Sequence, residues 1–126
     1  MFRFRRVNID GKSITETRLA GAELKPGELV KLEDSKFVKA VDGDAGVARL
    51  YIVNPAFHEG KTIADAIAQG ETVVADYVEE GREFAYRATA AAYTKDQAIK
   101  LGEVTVAYCQ EDVTLDAEDF IRVRVA

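Results

Sequence analysis

The sequence predicts a mainly β fold: a small antiparallel barrel or sandwich with one or two short helices and an extended N-terminal arm. Three observations lead there. Short runs that alternate apolar and polar residues recur along the whole chain. Gly, Pro and Asp clusters punctuate those runs at close, regular intervals. No stretch longer than about two helical turns keeps the 3.6-residue apolar period of a surface helix.

Residues 1–21 read as the arm and residues 22–126 as the body. Phe2 and Phe4 alternate with Arg3 and Arg5, a period of two that suits an extended segment with one apolar face. Asp10-Gly11 is a hairpin-turn dipeptide between the short flanks Val7-Asn8-Ile9 and Lys12-Ser13-Ile14. Such an arm is either a frayed terminus or a segment that orders on a partner, as an added strand or in a groove.

The body is organised around residues 24–54. Pro26-Gly27 suits the centre of a type II turn, because Pro presets φ and Gly accepts a positive one. Residues 29–32 then run extended, Glu33-Asp34-Ser35-Lys36 reverses the chain, and residues 36–41 return. The loop Asp42-Gly43-Asp44-Ala45-Gly46 precedes a longer β-rich run over 47–53. His58, the one histidine, falls in the loop that follows. Residues 62–69 (TIADAIAQ) place Ile63, Ala66 and Ile67 on one helical face, with Thr62 as N-cap and Gly70 as a stop. They fit a two-turn helix or an irregular loop equally.

Residues 71–78 form the next strand, with Val73, Ala75 and Tyr77 as its core face. Glu79-Glu80-Gly81-Arg82 is read as the turn of a hairpin whose second strand, residues 83–89, aligns Phe84, Tyr86 and Ala88. Residues 90–97 either extend that strand or begin a helix, and a loop with one helical turn is expected. Residues 103–109 alternate again, with Cys109 a small buried hydrophobe. The last strand, residues 120–125, points Ile121, Val123 and Val125 inward and Arg122 and Arg124 outward.

Bulk properties remove several classes of function. At 126 residues, 48% hydrophobic and 31% charged, the chain has the size and composition of one globular domain. It lacks the run of about 18 apolar residues that a membrane span needs. Its start is basic but lacks the apolar region of a signal peptide, so export by that route is not expected. One cysteine rules out an internal disulfide or a cysteine zinc site, in keeping with a reducing cytoplasm. The net charge is −5 although the first six residues carry three arginines and no acid, so the body is acidic and repels nucleic-acid phosphates.

The motifs of phosphate, dinucleotide, zinc-protease and serine-hydrolase sites are missing. Asp42-Gly43-Asp44 lacks the ligand alternation of a calcium loop. The paired acids sit in turns, where carboxylates are solvated, and no nucleophile neighbours His58 in sequence. The expectation is therefore no enzyme, no metal and no cofactor.

The succession of L-x-PGELVKL, KFVKAVDGDAGVARLYIVNPAFHEGKTIADAI, ETVVADYVEEGREFAYRATAAAYTKDQAIKLG, AYCQEDVT and a terminal FIRVRVA resembles the head decoration (cement) proteins of tailed bacteriophages, of the lambda type. The likeness covers nearly all of the chain from Leu24 onward. It implies a compact, tulip-like β body with an N-terminal segment and no catalytic residues. Such a protein is a structural part of the virion. It is made in the host bacterial cytoplasm and binds the capsid exterior, commonly as a homotrimer. There it bridges neighbouring major capsid protein subunits against the pressure of packaged DNA. Phe2 and Phe4 would then anchor the arm on the capsid, and Arg3, Arg5 and Arg6 would pair with capsid acids. Neither nucleic acid nor membrane is an expected partner. The competing readings are another virion module, from a tail or fibre base, and a small ligand-binding β domain.

Overall fold

The computed structural model describes residues 2–12 and 14–126, and these contain no α-helix. The expected roles of Met1 and Ser13, in the arm and beside its turn, lie outside the described residues. Strands β1 (Thr15–Leu19), β2 (Leu29–Glu33), β3 (Lys36–Lys39), β4 (Tyr51–Val53) and β5 (Thr72–Tyr77) form an antiparallel sheet in the order β1-β5-β4-β2-β3. Strands β6 (Glu83–Ala88), β8 (Ala98–Leu101), β9 (Val104–Cys109) and β11 (Asp119–Val125) form a second, ordered β6-β11-β9-β8. The short strands β7 (Ala92–Tyr93) and β10 (Val113–Thr114) pair with each other.

The first sheet curls almost into a barrel. Its two outer strands meet where Ala20 bridges Phe37 in parallel, and the Gly21 N–H bonds to the Phe37 carbonyl at 2.8 Å. The curl encloses Leu24, Val30, Phe37, Tyr51, Val53, Ile67, Val73 and Ala75. The second sheet closes over its outer face, where Ile52 of β4 joins Phe84, Ile121, Val123 and Val125. Strand β4 is therefore buried on both sides, which explains why all three of its residues are apolar.

Local chemistry accounts for the turns. Gly27 has φ 85° and the Glu28 N–H returns to the Lys25 carbonyl at 3.2 Å, as a type II turn requires. Asp34 and Ser35 both take positive φ, 52° and 64°, so β2 and β3 are joined by a type I′ turn that matches their twist. Asp44 accepts the Val41 N–H at 2.8 Å and the Lys31 ammonium at 3.0 Å, so both of its oxygens serve the loop.

The core faces follow the alternation of the sequence. Val73 and Ala75 are buried with Tyr77 packed beside them, and Ile121, Val123 and Val125 are buried with both arginines exposed. Cys109 is a free, buried thiol.

Four expectations are corrected and one open choice is decided. First, β5 and β6 are not a hairpin. The chain leaves β5 and crosses to the other sheet, where Gly81 and Arg82 exchange backbone hydrogen bonds with Val125 at 3.0 and 2.8 Å. Both sides of β5 are already taken by β1 and β4, so β6 has no open side there. Second, of the two readings open for residues 62–69, the irregular loop is the one adopted. The backbone of Ile67 is paired with Leu24 at 2.7 and 2.9 Å, which consumes the groups a helix needs. Among the described residues regular helix is limited to one 3-10 turn, Phe57–Glu59. Third, residues 90–97 contribute β7, and Asp96 at φ 68° ends any helical run. Fourth, the arm does not extend to residue 21. Strand β1 is part of the barrel, and the segment before it is folded against the second sheet. The β-rich run over 47–53 also shrinks to β4, because Val47 and Ala48 turn back onto the Asp44 carbonyl.

Candidate docking face

Strand β6 lies at one side of its sheet and would expose unpaired backbone groups to solvent. The N-terminal segment covers them. The Ala85 N–H donates to the Val7 carbonyl at 2.8 Å and the Ile9 N–H to the Glu83 carbonyl at 3.3 Å, while the Arg87 N–H reaches the Gly27 carbonyl at 3.1 Å. The arm and the Pro26-Gly27 turn thus complete the sheet. Val7 is fully buried as a result.

Two clusters fasten the beginning of the arm. The Phe2 ring meets Phe120 edge-on, with centroids 5.2 Å apart. The Arg87 guanidinium sits over both rings, 4.8 Å from Phe120 and 5.2 Å from Phe2. Arg87 also donates to the Pro26 carbonyl at 2.8 Å and the Ile63 carbonyl at 3.1 Å, and pairs with Glu118 at 3.4 Å. A Cβ at Gly27 would lie 2.4 Å from the Phe120 ring, so the turn can sit on this cluster only as glycine. In the second cluster Arg3 spans the Glu111 carboxylate with two N–H groups and donates to the Phe120 carbonyl at 2.8 Å. Its own backbone N–H reaches Asp119 at 3.0 Å. These bonds, with the Arg122 N–H at 2.8 Å, hold the Glu111 carboxyl below the usual carboxylate range; the Arg3 hydrogen bond is the largest cause.

Asp76 ties the arm to the barrel. It is 2% exposed, and its oxygens accept Thr15 Oγ1 at 2.8 Å, Asn54 Nδ2 at 2.9 Å and Asn8 Nδ2 at 3.0 Å. The side-chain Oδ1 of Asn8 in turn accepts the Gly11 N–H at 2.8 Å. Beyond it Asp10 accepts from Arg82 and from the Glu83 N–H.

The outward side of the same segment is different in kind. Phe2 borders an open cleft in two adjoining parts, and Phe4 and Arg5 line the larger of them. The larger part, ≈ 500 Å³, is completed by Phe57, Thr62, Ile63 and Ala64. The smaller part, ≈ 420 Å³, shares Phe2 and Ala64 and is bounded by Arg3, Leu115, Asp116, Glu118 and Asp119. Phe57 is 57% exposed, held out by the 3-10 turn that Gly60 terminates at φ 72°.

Of the residues expected to dock, Phe2 and Phe4 therefore keep an inner and an outer surface. Arg3 is committed to Glu111 and Asp119. Arg5 and Arg6 are exposed; Arg6 reaches only the Ile9 carbonyl, at 3.4 Å, and Arg5 has no partner among the described residues. Phe57, Ile63 and Ala64 were not singled out from sequence for this role. The cleft offers shape, apolar surface and charge. No cluster able to hold a metal ion occurs among the described residues, and His58 lies in the exposed turn beside Glu59. No helix of the described residues is long and apolar enough to cross a membrane. No protein-family model matches the chain, and no curated protein matches it.

Proposed function

We propose that this protein is a capsid decoration protein. In this reading it binds the outer surface of a tailed-phage head, as a homotrimer, and stabilises the shell by bridging neighbouring major capsid subunits. It works by contact and not by turnover. The observation that carries the reading is the apolar cleft formed by Phe2, Phe4 and Phe57 beside the unpartnered Arg5. An exposed aromatic ring beside two partly buried ones and a cation has the composition of a protein-binding surface. The resemblance of the sequence to cement proteins supplies the partner.

The physics suits a lattice. A ligand that binds only the assembled state shifts the balance toward it by mass action. Many copies, each touching more than one subunit, achieve this with modest affinity per contact.

The test is co-sedimentation of the purified protein with expanded shells that lack decoration. Saturable binding and a higher shell melting temperature are expected. Phe57→Asp, an exposed substitution, should abolish binding and leave the protein's own melting temperature within about 2 °C of the parent, since surface changes are usually within ±0.5 kcal/mol. Wild-type protein that stays in the supernatant at every salt concentration refutes the proposal.

A further inference from the structure

The docking face has a polarity along it, and that polarity restricts what can bind. On one side of Phe2 the cleft walls are apolar, and Arg5 is the one charged residue lining it. On the other side the lining carries Asp116, Glu118 and Asp119. Arg3, the cation of that side, is neutralised by Glu111. Glu118 is paired with Arg87, and Asp119 accepts the N–H groups of Arg3 and Phe120. Asp116 has no partner among the described residues. Each half thus has one unpartnered charge, positive at Arg5 and negative at Asp116, and Phe2 and Ala64 form the wall between them.

We propose that the face seats a peptide segment with an acidic residue, a large apolar residue and a basic residue in spatial succession. This rests on the capsid reading, with the segment supplied by the major capsid protein. The apolar side chain fills the space between Phe4, Phe57 and Ile63, where both walls are hydrocarbon. The acidic residue meets Arg5, and the basic residue meets Asp116. A segment of the opposite polarity places like charges together at both ends and is rejected, so the pair of charges sets the direction in which the segment lies. Because both charges are exposed, the preference weakens as salt rises.

Two experiments decide this, both on the full-length protein. A photo-crosslinking residue at position 57, irradiated on decorated shells, should capture a capsid segment with that pattern, and Arg5→Glu and Asp116→Lys should each weaken shell binding about tenfold at low salt. Neither side chain makes a contact that holds the fold, so unchanged melting temperatures should accompany the loss. In parallel, random peptides displayed against the wild-type protein should enrich the acid–apolar–base pattern and lose it against Phe57→Asp. Shell binding that survives both charge reversals overturns the inference and leaves the capsid reading standing. If the wild-type protein ignores shells, the capsid reading falls, and the peptide selection decides alone. Enrichment with the stated pattern then upholds the acid–apolar–base preference of the face and overturns the major capsid protein as the source of the segment. Enrichment that lacks the pattern, or is indifferent to position 57, overturns the inference.

Discussion

Removing the Asp76 carboxylate should loosen the arm and the barrel together. Its oxygens accept from Thr15 in β1, Asn54 after β4 and Asn8 in the arm, in a site 2% exposed to solvent. A hydrogen bond to a charged group is worth about 1.5–3 kcal/mol net, so three add to roughly 4–9 kcal/mol on paper. Asn8 and Asn54 are only half-buried and can turn toward water, which recovers part of that. We expect Asp76→Ala to cost about 3–5 kcal/mol. For a chain of 126 residues this lowers the melting temperature by roughly 10–15 °C.

Asp76→Asn keeps the shape but turns an NH₂ toward groups that donate. Its one carbonyl oxygen can serve two of them, so the cost should be about 2 kcal/mol. Urea melts of the three proteins give the order, and hydrogen exchange locates the effect. The amides of Ile9 and Ala85, which bond across the arm and β6, should exchange faster in Asp76→Ala. If both variants melt within about 1 kcal/mol of the parent, or if those two amides keep their protection, the carboxylate does not join the arm to the barrel and the reasoning fails.

Three further outcomes test other parts of the structure. A chain that begins at Val7 loses Phe2 and Arg3, which uncovers Phe120 and Arg87 and frees Glu111; a calorimetric loss of about 2–4 kcal/mol is expected, so this truncation weakens the fold as well as any capsid contact. Gly27→Ala should cost more than 2 kcal/mol, because a Cβ meets the Phe120 ring and φ is 85°, whereas Gly43→Ala, at φ 96° with open space around it, should cost about 1 kcal/mol; chemical melts of the pair separate packing from backbone strain. The Glu111 carboxyl is held below its ordinary value in the fold, so its stabilising effect is complete above the unfolded carboxyl range, about pH 4.3, and is lost as pH falls through the lowered value. Melting temperatures of the parent and Glu111→Gln should differ at pH 6 and converge in acid, and a constant gap across that range contradicts the assignment.

The sequence by itself determined whatever depends on neighbours along the chain. Alternation over residues 121–125 and 73–75 named the buried faces, since side chains in a strand must alternate whatever the strand pairs with. Pro26-Gly27 marked its turn because the dihedral preferences of those residues are local. The period of two in Phe2–Arg5 separates an apolar side from a charged one, and both phenylalanines are partly buried while both arginines are exposed. Pairing is not local, and adjacency along the chain does not fix it. Residues 71–78 and 83–89 looked like a hairpin because they are adjacent, yet each found its partners elsewhere. Spacing along residues 62–69 fits helix and loop alike, and the backbone pairing of Ile67 with Leu24 decides for the loop.

Only the tertiary structure decided the second face of β11 and the nature of the site. Phe120 lies on the strand face that alternation assigns to solvent, and it is fully buried because the arm lies over it. Asp76 lies on the opposite face of β5 from Val73 and Ala75, and it is buried because donors from three distant segments converge on it. The cleft likewise joins Phe4 to Phe57, more than fifty residues away. The physical reason is common to all three. Burial and binding depend on which surfaces the folded chain brings together, and side-chain periodicity records only which way each residue points.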